Sequence, residues 1–430
     1  MVRWLRDGWV STAALFLLAA SFTCFFQWGQ MRVDATAYWK AGTQLRTGQA
    51  LYSQTPVPPL EKAYIYPPAF AAAFAPLTAL PPLWGYAVWM AFEVVFALAL
   101  ARQGALLAGL ALGQREARRT ALALALAAGV VPVFDNLAEG QVNLLVALLC
   151  VVALLEAERD RNVRAGFALA AAVHIKLLPI VLIGAFLLWR RTRLVCWTAV
   201  ALLVVGLLPL VWRVATMGAG AGTGTFANDY VGFWNAILWP AASTAEVAGA
   251  AQLFAPNFSL RGTLARLFVE GTALSPFPQL AQRRGSLLLA APRPFVDAAS
   301  TAVALLGIAT ALWSCRRCAA DPIRRVAAAG SLLVAGALAG PTFWQHHFVI
   351  LGVAGAGLWP ILAAKAPRTR RLAWACALAP LVATVTVPFA IALLFGGFES
   401  APYRALREYG LPTGAVLIFL ATALAVTARR

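Results

Sequence analysis

A carboxylate, a lone lysine and a histidine pair are the residues of this chain best suited to chemistry. Each sits where apolar sequence gives way to polar. Asp34 follows the first long apolar run, in Met31-Arg32-Val33-Asp34-Ala35-Thr36-Ala37-Tyr38. An aspartate is ionised at neutral pH and can accept the proton of a substrate hydroxyl; its plainer role is a helix N-cap. Lys176 lies inside an apolar stretch. An isolated ammonium is expensive there and suits an anionic phosphate, the alternative being a lysine that snorkels or pairs with a carboxylate. His346 and His347 close Gly340-Pro341-Thr342-Phe343-Trp344-Gln345-His346-His347. Adjacent histidines face different sides of a helix and make a poor metal pair. Either one could donate to a phosphate, or both could belong to an interfacial aromatic belt.

Asn257, Ser259 and Arg261 offer an amide, a hydroxyl and a guanidinium within five residues, and Gln141 and Asn143 offer two further amides. Such groups suit phosphate or sugar hydroxyls. Taken singly, each also reads as a loop or helix-start residue, and Asn257-Phe258-Ser259 matches a glycosylation pattern that is frequent by chance. Glu93 lies within an apolar run, with Arg102 as a candidate partner. The motifs of soluble enzymes are missing: no phosphate-cradling P-loop, no G-x-S-x-G, no H-E-x-x-H. A glycosidase would need a second carboxylate beside the bond, and none is singled out. Cys315 and Cys318 form one C-x-x-C without a second ligand pair, so no metal is expected, and no disulfide either. One base with several phosphate-suited groups fits group transfer from a lipid-linked phosphate.

A membrane must hold the elements that position these groups. Hydrophobic residues make up 61% of the 430 and charged residues 12%, outside the soluble range. The net charge of +18 does not point to nucleic acid, because the arginines gather in short connections between apolar runs. Such clusters are Arg3/Arg6, Arg115/Arg118/Arg119, Arg159/Arg161/Arg164, Arg190/Arg191/Arg193, Arg316/Arg317/Arg324/Arg325, Lys365/Arg368/Arg370/Arg371 and Arg429/Arg430. By the positive-inside rule these are cytoplasmic, and the loops holding Asp34, Asp135, Asp229, Glu246, Glu270, Asp297 and Glu399 lie outside. The first run, 9–28, reads as an uncleaved helix rather than a signal peptide.

The segment 29–66 is then the first extracytoplasmic loop, and 213–294 is a large extracytoplasmic segment. A short helix is expected from Asp34, with Ala37, Ala41 and Leu45 on one face, Tyr38 beside Asp34, and Gly48 as terminator. Pro67-Pro68 and Pro81-Pro82 isolate 69–80 as a half-helix or re-entrant piece before a span at 83–112. Further spans are expected at 120–134, 141–155, 194–212, 295–313, 326–339, 348–364, 372–395 and 412–428. Residues 165–189 start and end at cytoplasmic arginines, so they form a re-entrant hairpin with its tip at His174–Pro179 in a wet, protein-lined cavity. The fold class is an all-α polytopic membrane bundle of about ten spans plus that hairpin, a single domain over 1–430.

Taken in order, several pieces resemble glycosyltransferase family 87, membrane enzymes of the GT-C type. They are Asp34 with Tyr38 and Gly48-Gln49-Ala50-Leu51-Tyr52; Tyr64-Ile65-Tyr66-Pro67-Pro68 with Pro76-Leu77 and Leu80-Pro81; Gly140-Gln141-Val142-Asn143; Lys176 with Pro179; Asn257-Phe258-Ser259; and Trp344-Gln345-His346-His347. The resemblance covers about residues 30–350, and it departs from the family at Gly340-Pro341, where Ser-Pro is frequent, and at His174 before Lys176. It implies an inverting transfer of a sugar, typically mannose and sometimes arabinofuranose, from a polyprenyl phosphate to a lipid or glycan acceptor. Asp34 would be the general base. Lys176 and His346 or His347 would lie at the donor phosphate; by residue type, Tyr38, Tyr66, Gln141, Asn143, Asn257, Ser259 and Arg261 are further candidates to hold the donor, with no cofactor expected. The enzyme would sit in the inner or plasma membrane, both termini cytoplasmic and the active site outside. A lipid transporter or flippase and a non-catalytic envelope scaffold are the competing classes. Separation of Asp34 from Lys176 by more than about 15 Å would speak against transfer chemistry.

Overall fold

Prolines and arginines set the boundaries of the helices. The computed structural model describes residues 34–52, 63–109, 130–240, 257–270, 288–363, 365, 379–386 and 411–428. Among these, every regular element is helical. The expected first span at 9–28, most of those at 120–134 and 372–395, and the outer basic clusters at both ends of the chain lie outside the described residues.

Helix α1 (Ala35–Arg46) buries Ala37, Ala41 and Leu45, the expected face. It ends in a Schellman turn: Gln49 N–H reaches the Gln44 carbonyl at 2.8 Å across Gly48, whose φ is +76°. Pro68 starts α2 (Pro68–Phe74), which tightens into a 3-10 turn through Ala79. Pro82 then starts α3 (Pro82–Ala108). Proline at the first helical position costs nothing, because its missing N–H would have been unpaired. The piece from 68 to 79 is too short to cross a membrane, as expected for a half-helix.

Two αα-turns frame the hairpin. Helix α4 (Val130–Ala138) leads to α5 (Asn143–Glu158), α6 (Asn162–Ile175), α7 (Val181–Leu188) and α8 (Thr192–Gly206). Between α5 and α6, Asp160 takes φ +57° and Arg161 N–H returns to the Glu156 carbonyl. Between α7 and α8, Arg190 takes φ +57° and Arg191 N–H returns to the Phe186 carbonyl. An ion pair between Asp160 and Arg191 joins the start of α6 to the end of α7. The segment therefore leaves and returns to the same end, and its interruption falls at Lys176, where the backbone is extended.

Helices α8 and α9 (Leu208–Met217) run as one apolar rod, followed by α10 (Ala219–Phe233). Within the expected extracytoplasmic segment 213–294, residues 213–217 and 219–238 are helical. The Gly- and Thr-rich composition of α10 is a poor helix former, and tertiary contacts compensate. Arg213 and Asp229, both essentially inaccessible, form a two-pronged ion pair at 2.8 and 3.0 Å, and Asp229 also accepts from Leu51 N–H.

The remaining helices are α11 (Leu260–Phe268), α12 (Arg293–Arg317), α13 (Pro322–Ala339), α14 (Leu351–Ala363) and α15 (Leu411–Ala428). Among the described helices, α3, α8–α9, α12 and α13 are long and apolar enough to cross a membrane. Close backbone approach joins α13 to α14, for a Cβ on Gly330 would lie 2.3 Å from Ala354 and one on Gly357 2.3 Å from Ala327. Small residues at such contacts are how helices pack where lipid removes the hydrophobic drive.

Candidate active site

Gln141 is the hub to which the predicted residues converge. Its position is set by the turn from α4 to α5. Trp89 Nε1 donates to the Gly140 carbonyl at 3.0 Å, and Asn136 Nδ2 donates both to the Gln141 carbonyl and, at 2.6 Å, to Glu93. The Gln141 side-chain oxygen accepts from the hydroxyls of Tyr38 and Tyr66, each at 3.1 Å, and from Asn143 Nδ2 at 3.3 Å. With the oxygen so engaged, its Nε2 faces the Asp34 carboxylate and donates to it. Burial holds the Tyr38 phenol well above its ordinary pKa, aided by the neighbouring Tyr66 and Asp34. Tyr38 is thus a fixed donor rather than a base. Asp34 makes no side-chain cap bond to its own helix, so the N-cap role is not what its carboxylate does.

The network continues through Asn143, whose Oδ1 accepts from Lys176 Nζ. Nζ also lies 2.8 Å from His347 Nε2 and 5.6 Å from the centre of the Tyr66 ring. Three hydrogen bonds through two amides link Asp34 to Lys176. His347 Nδ1 accepts from the Trp344 N–H at 3.1 Å. A charged Lys176 therefore leaves His347 facing N–H donors at both ring nitrogens, which no neutral tautomer can satisfy.

Four expected residues stand apart from that chain. His346 turns to Asp135, with Nδ1 and Oδ2 3.1 Å apart, and its ring lies 4.7 Å from that of His347. Asn257 and Ser259 act as a clamp. Asn257 Nδ2 donates to the Pro341 carbonyl at 2.9 Å, and its Oδ1 accepts from Ser259 and Phe343 N–H; Ser259 caps α11 by accepting from Gly262 N–H. Their polar atoms are committed to protein, so they hold the histidine segment in place rather than face a ligand. Arg261 pairs with Asp297 at 2.8 Å, outside the cluster. Glu93 pairs with Asn136 and not with Arg102, which stands nine residues further along the same helix, about 13 Å away by helical rise. Sequence reasoning missed Asp135, Asn136 and Trp89 as supports. Asp135 and Asn136 were visible as the polar start of the 135–143 turn, whereas Trp89 gave no signal within an apolar helix.

The family model for glycosyltransferase family 87 matches residues 64–341, well over half of the chain. The chain belongs to glycosyltransferase family 87. This family 87 protein is therefore a membrane-embedded glycosyltransferase. The matched stretch contains Gln141, Asn143 and Lys176 and stops short of Asp34, His346 and His347 on either side. No curated protein matches the chain. Among solved structures, ArnT from Cupriavidus metallidurans in the apo state is similar at 15% identity and a TM-score of 0.43, covering 98% of this chain and 76% of that one. The same protein bound to undecaprenyl phosphate is similar at 18% identity and a TM-score of 0.39, with 98% and 77% covered. These likenesses are too distant to carry residues of ArnT onto this family 87 member.

Proposed function

We propose that the protein moves a sugar, mannose in the first instance, from a polyprenyl-phosphate donor to an acceptor hydroxyl on the extracytoplasmic face. The supporting observation is the unbroken polar chain from the Asp34 carboxylate to Lys176. That chain joins the Asp34 carboxylate to the Lys176 amine through the amides of Gln141 and Asn143. In an inverting displacement, Asp34 takes the hydroxyl proton as the acceptor oxygen bonds to the anomeric carbon. The bond from that carbon to the phosphate oxygen breaks, and the departing phosphate gains negative charge. Lys176 meets that charge, and Gln141 keeps the carboxylate oriented. Mannose and inversion rest on the family resemblance.

Incubating the purified protein with polyprenyl-phosphate mannose, the arabinofuranosyl equivalent and candidate acceptors, with mass spectrometry of the products, tests this reading. Asp34→Asn keeps an acceptor oxygen for Gln141 and should lower transfer by at least about 10²-fold while donor binding and thermal stability persist. Near-normal turnover in that variant would sink the general-base role. Movement of intact donor across vesicles without product would favour a transporter.

A further inference from the structure

At the end of the hairpin away from Lys176, the first turns of α6 and α8 enclose an open groove of about 360 Å³. Arg161, Asn162, Val163, Arg164, Arg193 and Trp197 line it, and its acid, Asp160, is engaged by Arg191. Glu156 lies 3.0, 3.4 and 3.8 Å from Arg159, Arg161 and Arg164, so one carboxylate is shared among three guanidiniums. Arg193 takes part in no ion pair among the described residues. The groove thus carries uncompensated positive charge. Directly beyond it, Trp197, Val200, Val204 and Leu207 recur along one face of α8, each more than 40% exposed. Val163 and Phe167 of α6 are also exposed. A compact basic groove continued by an apolar stripe matches a ligand with an anionic head and hydrocarbon tails. A free phosphate would use only the first half of it.

We propose that this groove binds the head group of an anionic glycerophospholipid, whose acyl chains lie along the Trp197–Leu207 face. Three arginines near a membrane surface supply the attraction, each contributing several-fold in affinity. The bound lipid would bridge α6 and α8 at the base of the hairpin whose tip carries Lys176. This binding does not depend on the transfer chemistry above.

Native mass spectrometry of the purified full chain, with phosphatidylglycerol and phosphatidylcholine of identical chains, tests the proposal. Wild type should retain phosphatidylglycerol at least about tenfold better. The triple variant Arg161→Gln, Arg164→Gln, Arg193→Gln should lose that preference. Arg193→Gln alone, which breaks no described ion pair, should weaken it about fivefold, and it decides the matter if the triple variant does not fold. Equal retention of both lipids, or an unchanged preference in the variants, overturns the proposal. So does displacement of the lipid by its soluble head group, glycerophosphoglycerol, at equal concentration, which would show a site for anions alone.

Discussion

Gln141 shows how a residue can be visible in a sequence while its job is not. Its identity and position after Gly140 marked it as a polar group near the site. Nothing local indicated that Tyr38, Tyr66 and Asn143 would occupy its oxygen and so direct its nitrogen at Asp34. Those donors come from three separated stretches of chain, and only folding brings them to one atom. Gln141→Glu replaces the donor facing Asp34 with an acid, so the acid limb of the kcat/KM profile should move to higher pH. A profile identical to wild type would remove Gln141 from the setting of that base. Lys176→Met keeps length and removes charge; donor KM should rise at least about tenfold with acceptor KM unchanged, the loss of one charged hydrogen bond. Equal weakening toward both substrates would make Lys176 a structural residue. Asp34 and Lys176 stand out as candidates in the sequence because ionisable groups are rare beside and within apolar runs. Arg261 stands out by its place beside Asn257 and Ser259, whereas its partner Asp297 lies 36 residues away.

Helix boundaries were read well where proline or glycine dictates them, as at Pro67-Pro68, Pro81-Pro82 and Gly48. Where packing decides, the sequence carries no such mark. α10 is built from residues of low helix propensity and is held by the buried Arg213–Asp229 pair and the hairpin it makes with α9. The two αα-turns fall at the basic clusters that bound the expected hairpin, but their left-handed residues, Asp160 and Arg190, stand where glycine is usual. Arg190→Gly should therefore stabilise the protein by about 1 kcal/mol, read as a higher midpoint of thermal unfolding in detergent. A lower midpoint would mean that the Arg190 side chain contributes more than its backbone costs.

Across the whole molecule, the described basic connections gather at one end. Glu158 at the end of α5 pairs with Arg325 of α13, and Trp189 after α7 donates to the Cys315 carbonyl near the end of α12. If this end is cytoplasmic, Gln49→Cys, beside α1, should react with an impermeant maleimide in intact cells of a cysteine-free variant, and Arg193→Cys only after lysis. Reversed labelling would invert the orientation and the side of the reaction. The sequence by itself determined the membrane class, the re-entrant hairpin, most described spans and the candidates Asp34 and Lys176. Those follow from the period and length of apolar runs, from proline, and from the cost of charge in lipid, all of which act within a few residues. The tertiary structure decided which polar groups meet. Gln141 became the hub, His347 the neighbour of Lys176, His346 the partner of Asp135, and Asn257 with Ser259 a clamp. A hydrogen bond needs two groups within about 3 Å, and sequence separation says nothing about that distance until the chain has packed.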